Sequence, residues 1–203
     1  MTTVPLLAGN AIGVRQRRKF FEMRNQYDLV DETGATVGVV EQVGQSPLTF
    51  LARLFSDLDL WLPVTLDVKD ASGATVLRLH KAWFRLQVDA TDPATASRIG
   101  SVRKRLRLGK ANFDVTSPDG NLVGTLRAQN WRARDFALVG AGDRELGRVT
   151  KQWRGLLTEL ATDADSYAVT FPPDADDTVR RLMLAAALSV DLTMKQKDYN
   201  LEI

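Results

Sequence analysis

Residues 174–192 read D-A-D-D-T-V-R-R-L-M-L-A-A-A-L-S-V-D-L, and the reading of this stretch decides the fold. Its opening aspartates and Thr178 supply capping oxygens and negative charge for the positive end of a helix dipole. The spacing predicts a helix over about 176–192. From Leu182 to Leu188 every residue is apolar, so that helix has no polar face there. A helix apolar all round is buried, in a protein core or in a bilayer. Length decides between the two. Val179 to Leu192 makes about 21 Å of helix, whereas a bilayer core needs about 30 Å. Arg180, Arg181 and Asp191 would fall inside any longer window. No transmembrane span is therefore expected. Leu182, Met183, Leu184 and Leu188 are assigned to the centre of a protein core.

Working outward, the chain before this helix reads as strands. Residues 26–42, Q-Y-D-L-V-D-E-T-G-A-T-V-G-V-V-E-Q, place Tyr27 and Leu29 on one face, then a D-E-T-G turn, then a return. That is a β-hairpin signature. The same unit begins again at Leu66 (L-D-V-K-D-A-S-G-A-T-V-L), Phe113 (F-D-V-T-S-P-D-G-N-L-V-G) and Phe136 (F-A-L-V-G-A-G-D-R-E-L-G). Tyr167 opens a strand without a return, Y-A-V-T-F. Each unit sets an aromatic residue or Leu two positions before Leu or Val, the period of a strand with one buried face. The returns share a glycine at 38, 100, 124 and 147, which marks a bend or a close backbone approach. Ile12 to Met23 reads as two further short strands.

The tally comes to about twelve strands. Closing them into a barrel removes the exposed edges. A barrel of that size has a hole, because about eight strands already suffice to enclose a filled interior. A helix about 10 Å across fits such a hole. The predicted fold is all-β with a central helix: one domain over residues 1–203, a closed barrel of ~12 strands around the apolar C-terminal helix. Residues 46–58, S-P-L-T-F-L-A-R-L-F-S-D-L, break the strand period and read as a short amphipathic helix over one mouth, with an interfacial membrane helix anchored by Phe50, Phe55 and Trp61 as the alternative.

Composition narrows the function classes. The chain has 203 residues, a net charge of +2 and no cysteine, which excludes disulfides and fits a reducing cytoplasm. Its N-terminus shows no signal-peptide pattern. A single histidine, His80, cannot build a multi-histidine zinc site; in V-L-R-L-H-K-A-W it reads as a surface or rim residue. No nucleophile elbow, P-loop or paired-glycine fingerprint occurs, and no residue is put forward as catalytic. Two basic clusters stand out: Arg15, Arg17, Arg18 and Lys19, and Arg98, Arg103, Lys104, Arg105, Arg107 and Lys110. The alternation of Arg103, Arg105 and Arg107 sets three guanidiniums on one strand face, a row suited to phospholipid headgroups or nucleic-acid phosphates. Aromatic residues do not interleave there, so nucleic acid is the less favoured partner.

Residues 163–191, D-A-D-S-Y-A-V-T-F-P-P-D-A-D-D-T-V-R-R-L-M-L-A-A-A-L-S-V-D, resemble the C-terminal signature of the phospholipid scramblase family: an acidic start, an aromatic strand, F-P, D-x-D, and an apolar helix ending in aspartate. Asn25-Gln26-Tyr27 before the D-E-T-G turn resembles that family's early strand, and the V-G returns resemble the related LURP-one proteins. The resemblance implies a Tubby-like barrel of twelve strands around a hydrophobic helix. It also maps the family's proposed calcium segment onto Asp163, Asp165, Tyr167, Val169, Phe171 and Asp174. Calcium needs six to eight oxygens and a glycine at the turn, whereas Tyr167, Phe171 and Ala168 stand at those places, so Asp163, Asp165 and Asp174 read first as strand and helix-cap residues. No other cofactor is implied. The expected function is a non-enzymatic barrel, cytoplasmic and peripheral at the membrane. It binds anionic phospholipid headgroups or another anionic ligand through its basic surface. The alternatives are a phospholipid scramblase, or a regulatory scaffold for protein partners or nucleic acid.

Overall fold

The computed structural model describes residues 4–16, 26–44, 62–105, 111–129, 135–150 and 166–194. Twelve strands form in chain order: β1 (Ala11–Gln16), β2 (Gln26–Val30), β3 (Thr36–Val43), β4 (Val64–Asp70), β5 (Thr75–Lys81), β6 (Gln87–Thr91), β7 (Arg98–Lys104), β8 (Asn112–Thr116), β9 (Leu122–Ala128), β10 (Asp135–Val139), β11 (Glu145–Thr150) and β12 (Ser166–Thr170). They close into one antiparallel barrel in sequence order, with β1 pairing β12. Among the described residues a single α-helix, α1 (Asp177–Met194), follows, starting one residue later and ending two residues later than the sequence pattern predicts. The segment 46–58 lies outside the described residues.

The predicted hairpins are all present, and each bends in the same place. In β2–β3, β4–β5, β6–β7, β8–β9 and β10–β11 the register shifts near the turn, setting two residues of the returning strand against one of its partner. In four of the five, the residue after the extra one is the glycine of the V-G, I-G or L-G pattern. A bulge bends a strand and sharpens its twist, which is what curls a sheet into a closed wall. The glycines permit the close packing that results. A Cβ on Gly100, whose φ is +156°, would strike the Thr116 carbonyl oxygen and come within 2.9 Å of Leu182. One on Gly147, at φ +148°, would meet Thr170 O and Met183 at 2.8 Å. Glycine at these two positions therefore lets wall and helix touch.

Alternation along the strands separates two surfaces. Inward residues such as Leu29, Val40, Leu66, Leu79, Val102, Val115 and Leu138 are fully buried. They pack on α1, whose residues Leu182 to Leu188 are each at most 1% exposed. Phe113 and Phe136 meet edge to face, centroids 6.1 Å apart. Outward residues are charged and paired across strands: Arg15 with Asp28, Lys69 with Glu41, Arg78 with Asp67, Arg148 with Asp135. Apolar inside and charged outside is the inverse of a barrel that sits in lipid. No helix among the described residues is long and apolar enough to cross a membrane.

Candidate functional site at one mouth of the barrel

The barrel has two mouths, and α1 runs from one to the other. The first is ringed by the short hairpin turns. Asp31 accepts from Thr33 N, Thr33 Oγ1 and Ala35 N at 2.8, 2.6 and 3.0 Å. Asp70 does the same with Ser72 and Ala74. The hydroxyl bonds of Thr33 and Ser72 hold both carboxyls below the ordinary range, reinforced by the backbone amides. The start of α1 is tied down here. Arg180, 6% exposed, donates to the carbonyls of Leu7 (2.9 Å), Gly9, Ala175 (2.9 Å) and Pro172 (3.4 Å), and lies 5.2 Å over the Phe171 ring. The amide of Val4 donates to Asp177 Oδ1 at 2.9 Å, and Arg181 pairs with Asp92 and Asp177. The N-terminal segment, with its 3-10 turn Pro5–Leu7, is thereby fastened over this end.

The second mouth surrounds the C-terminal end of α1. The inward layer turns polar: Tyr27 on β2, Gln42 on β3, Lys81 on β5, Lys104 on β7 and Tyr167 on β12 replace the aliphatic residues deeper in. Tyr27 OH donates to Asp191 of α1. Lys104 Nζ donates to the Thr193 carbonyl at 3.1 Å, a cation at the negative end of the helix dipole. Burial, and then the Asp191 charge, push the Tyr167 phenol well above its ordinary pKa.

Charge on the rim of this second mouth distinguishes it further. Around the barrel wall Arg15, Arg78, Arg98, Arg105, Arg127, Arg144 and Arg148 each reach a carboxylate. Among the described residues, Arg85 and Arg103 are exposed and reach none. They are neighbours: Arg103 faces Gln87 across the β6–β7 ladder, two residues from Arg85. The amide of Lys104 donates to the Leu86 carbonyl at 2.9 Å, fastening the β5–β6 turn to the end of β7. On that turn Trp83 is 52% and Phe84 69% exposed.

The residues singled out in the sequence distribute as follows. Arg15 lies outward near the end of β1, bonded to Asp28 at 3.4 Å; Arg17, Arg18 and Lys19 lie outside the described residues. Of the predicted row of three arginines, Arg103 and Arg105 lie among the described residues. Strand β7 stops at Lys104, and Arg105 turns to Asp114, Nε to Oδ2 2.7 Å; Arg107 is outside the described residues. Arg15 and Arg103 finish at the same mouth but on strands half-way round the barrel from each other. Asp163 and Asp165 lie outside the described residues. Asp174 pairs with Arg144 at the first mouth. Tyr167, Val169 and Phe171 are buried within. The described part of that segment thus offers one carboxylate, already paired with Arg144, where calcium needs six to eight oxygens, and no step is built on calcium. Trp83, Phe84 and Arg85 were not singled out by the sequence reading. Their signal was two adjacent aromatics and an arginine interrupting the strand period between Lys81 and Gln87.

Comparisons with known proteins agree with this architecture. The family described as Scramblase matches residues 12–196. A phospholipid scramblase family protein of the fission yeast Schizosaccharomyces pombe is 25% identical over 185 residues, covering 82% of this chain and 47% of that one. Human phospholipid scramblase 2 is 39% identical over 58 residues, 28% of this chain and 20% of that one. The chain therefore spans less than half the length of these relatives. An X-ray structure of an Arabidopsis thaliana protein superposes with a TM-score of 0.53 over 94% of this chain and 98% of that one at 13% identity, which shows a shared fold.

Proposed function

The chain belongs to the scramblase family, and from that premise we propose that it binds anionic phospholipid headgroups at the second mouth without catalysing a covalent reaction. The observation that carries this reading is the pair of exposed arginines, Arg85 and Arg103, left without carboxylates on a wall where the other outward arginines have them. An unpaired guanidinium fork matches a phosphate bidentately. A planar partner also suits the geometry. Arg15 and Arg103 stand across the mouth from each other, so one small ion cannot bridge them, whereas a flat anionic surface laid on the rim meets both sides. Juxtamembrane cations contribute about 1 kcal/mol each near such a surface.

Flotation with phosphatidylserine vesicles tests the reading. Binding is expected to fall steeply as salt rises and to drop about thirtyfold in Arg85→Ser/Arg103→Ser. Binding that ignores both salt and these arginines overturns it. A second reading, lipid scrambling, is suggested by the names of the relatives. It ranks below binding because α1, the apolar helix of the described residues, is enclosed by its own barrel; lipid transfer in a dithionite assay on proteoliposomes would promote it.

A further inference from the structure

We propose that the β5–β6 turn is a membrane wedge: Trp83 and Phe84 enter the interfacial layer of an anionic bilayer while Arg85 and Arg103 hold its phosphates. This deepens the lipid-binding reading and rests on it. The two aromatics are, with Leu122, the exposed large apolar side chains of the described residues. Their ring centroids lie 6.1 Å apart with planes tilted by 35°, so they form one apolar tip. Leu122 stands alone at the opposite mouth.

Three features make the tip a presented one. Phe84 sits at φ 56°, a left-handed backbone that bulky residues rarely adopt, and such outliers concentrate where a function holds them. The turn begins beside Lys81, which is 1% exposed and anchors the end of β5 inward. It ends on the Leu86 carbonyl bonded to Lys104. A fixed turn loses little freedom when it inserts, which favours affinity. Trp suits the headgroup boundary, where one edge of the ring is apolar and the indole N–H stays wet. The free guanidiniums beside it supply the charge that an aromatic tip meeting another protein's apolar pocket would not need, and they point to an anionic lipid surface.

The absence of cysteine in the chain allows a direct test. A single thiol is placed by Phe84→Cys and, as control, by Leu122→Cys, and each is labelled with an environment-sensitive fluorophore. On phosphatidylserine vesicles the label at 84 is expected to shift to the blue and be quenched by lipids spin-labelled near the headgroup. The label at 122 should do neither. Trp83→Ser/Phe84→Ser should weaken vesicle partition by about tenfold or more while the chain keeps a cooperative unfolding transition. If vesicles bind in a salt-sensitive, arginine-dependent way while the label at 84 stays in water, the wedge is overturned, the headgroup reading stands, and the aromatic tip is left to a protein partner. If no vesicles bind at all, both fall.

Discussion

The two mouths of this barrel are built from opposite choices. At the first, cations are consumed internally. Arg180 spends its donors on four backbone carbonyls and Arg181 meets two carboxylates, so the N-terminal segment, the β12–α1 link and the helix start lock together. At the second, the inner layer is polar, and the described part of the rim leaves two arginines and two aromatics facing outward. The difference teaches where stability and recognition reside. Groups satisfied within the chain hold the fold; the two arginines left without carboxylates at the other end are available to something else.

Substitutions should separate the two ends, and the middle that joins them. The largest effect is expected from Ala186→Asp. Ala186 is fully buried between the walls, and an unpaired carboxylate there costs several kcal/mol, comparable with a domain's whole stability. Circular dichroism should show no cooperative unfolding transition. Next comes Arg180→Met, which strips the carbonyls of Leu7, Gly9 and Ala175 of their donor. Charged hydrogen bonds contribute about 1.5–3 kcal/mol each, so urea unfolding should show a loss of about 3 kcal/mol or more, with vesicle binding by the folded protein unchanged. Arg103→Ser should do the reverse: stability within about 0.5 kcal/mol of the parent and weakened binding. A variant at Arg180 that kept full stability would erase the contrast between the mouths.

The pH dependence is smaller and has a direction at each extreme. Tyr167 titrates above its unfolded value of 10.0 when buried. Below that value both states hold the proton; above it the unfolded chain releases the proton first, so stability is lost as pH rises past about 10. Tyr167→Phe should flatten this alkaline limb in a melting series. Asp31 and Asp70 have the opposite sign. Their folded carboxyls titrate below 3.8, so the stability they add is present above that value and fades as pH falls through the folded range. Asp31→Asn should reduce the acid slope slightly.

Much of this architecture was legible in the residues because the signals were of the strongest kind. Seven consecutive apolar positions in a helix too short for a bilayer left a protein interior as their place, and the period of two in the hairpin units left one buried face per strand. In four of the five hairpins a glycine of the return strand marked the bulge, since a side chain at Gly100 or Gly147 would enter the neighbouring wall or the helix. The site was less legible. That Arg105 is spoken for and Arg103 is not depends on where β7 ends and which carboxylate the next strand brings alongside, a matter of register. Arg180 looked like an obstacle to a membrane span, and only the folded chain shows the carbonyl ring around it. The Trp83–Phe84 tip interrupted a strand pattern and so dropped out of a reading built on periodicity.

The account turns on α1 staying within its sheath while the second mouth does the touching. Hydrogen exchange with and without phosphatidylserine vesicles measures this directly. The amides of Leu182 to Leu188 should remain protected to the level of global unfolding in both conditions, while those of Trp83 to Leu86 slow when vesicles are added. Loss of protection along Leu182 to Leu188 on vesicle binding, short of global unfolding, would show the helix leaving the barrel and would contradict the account.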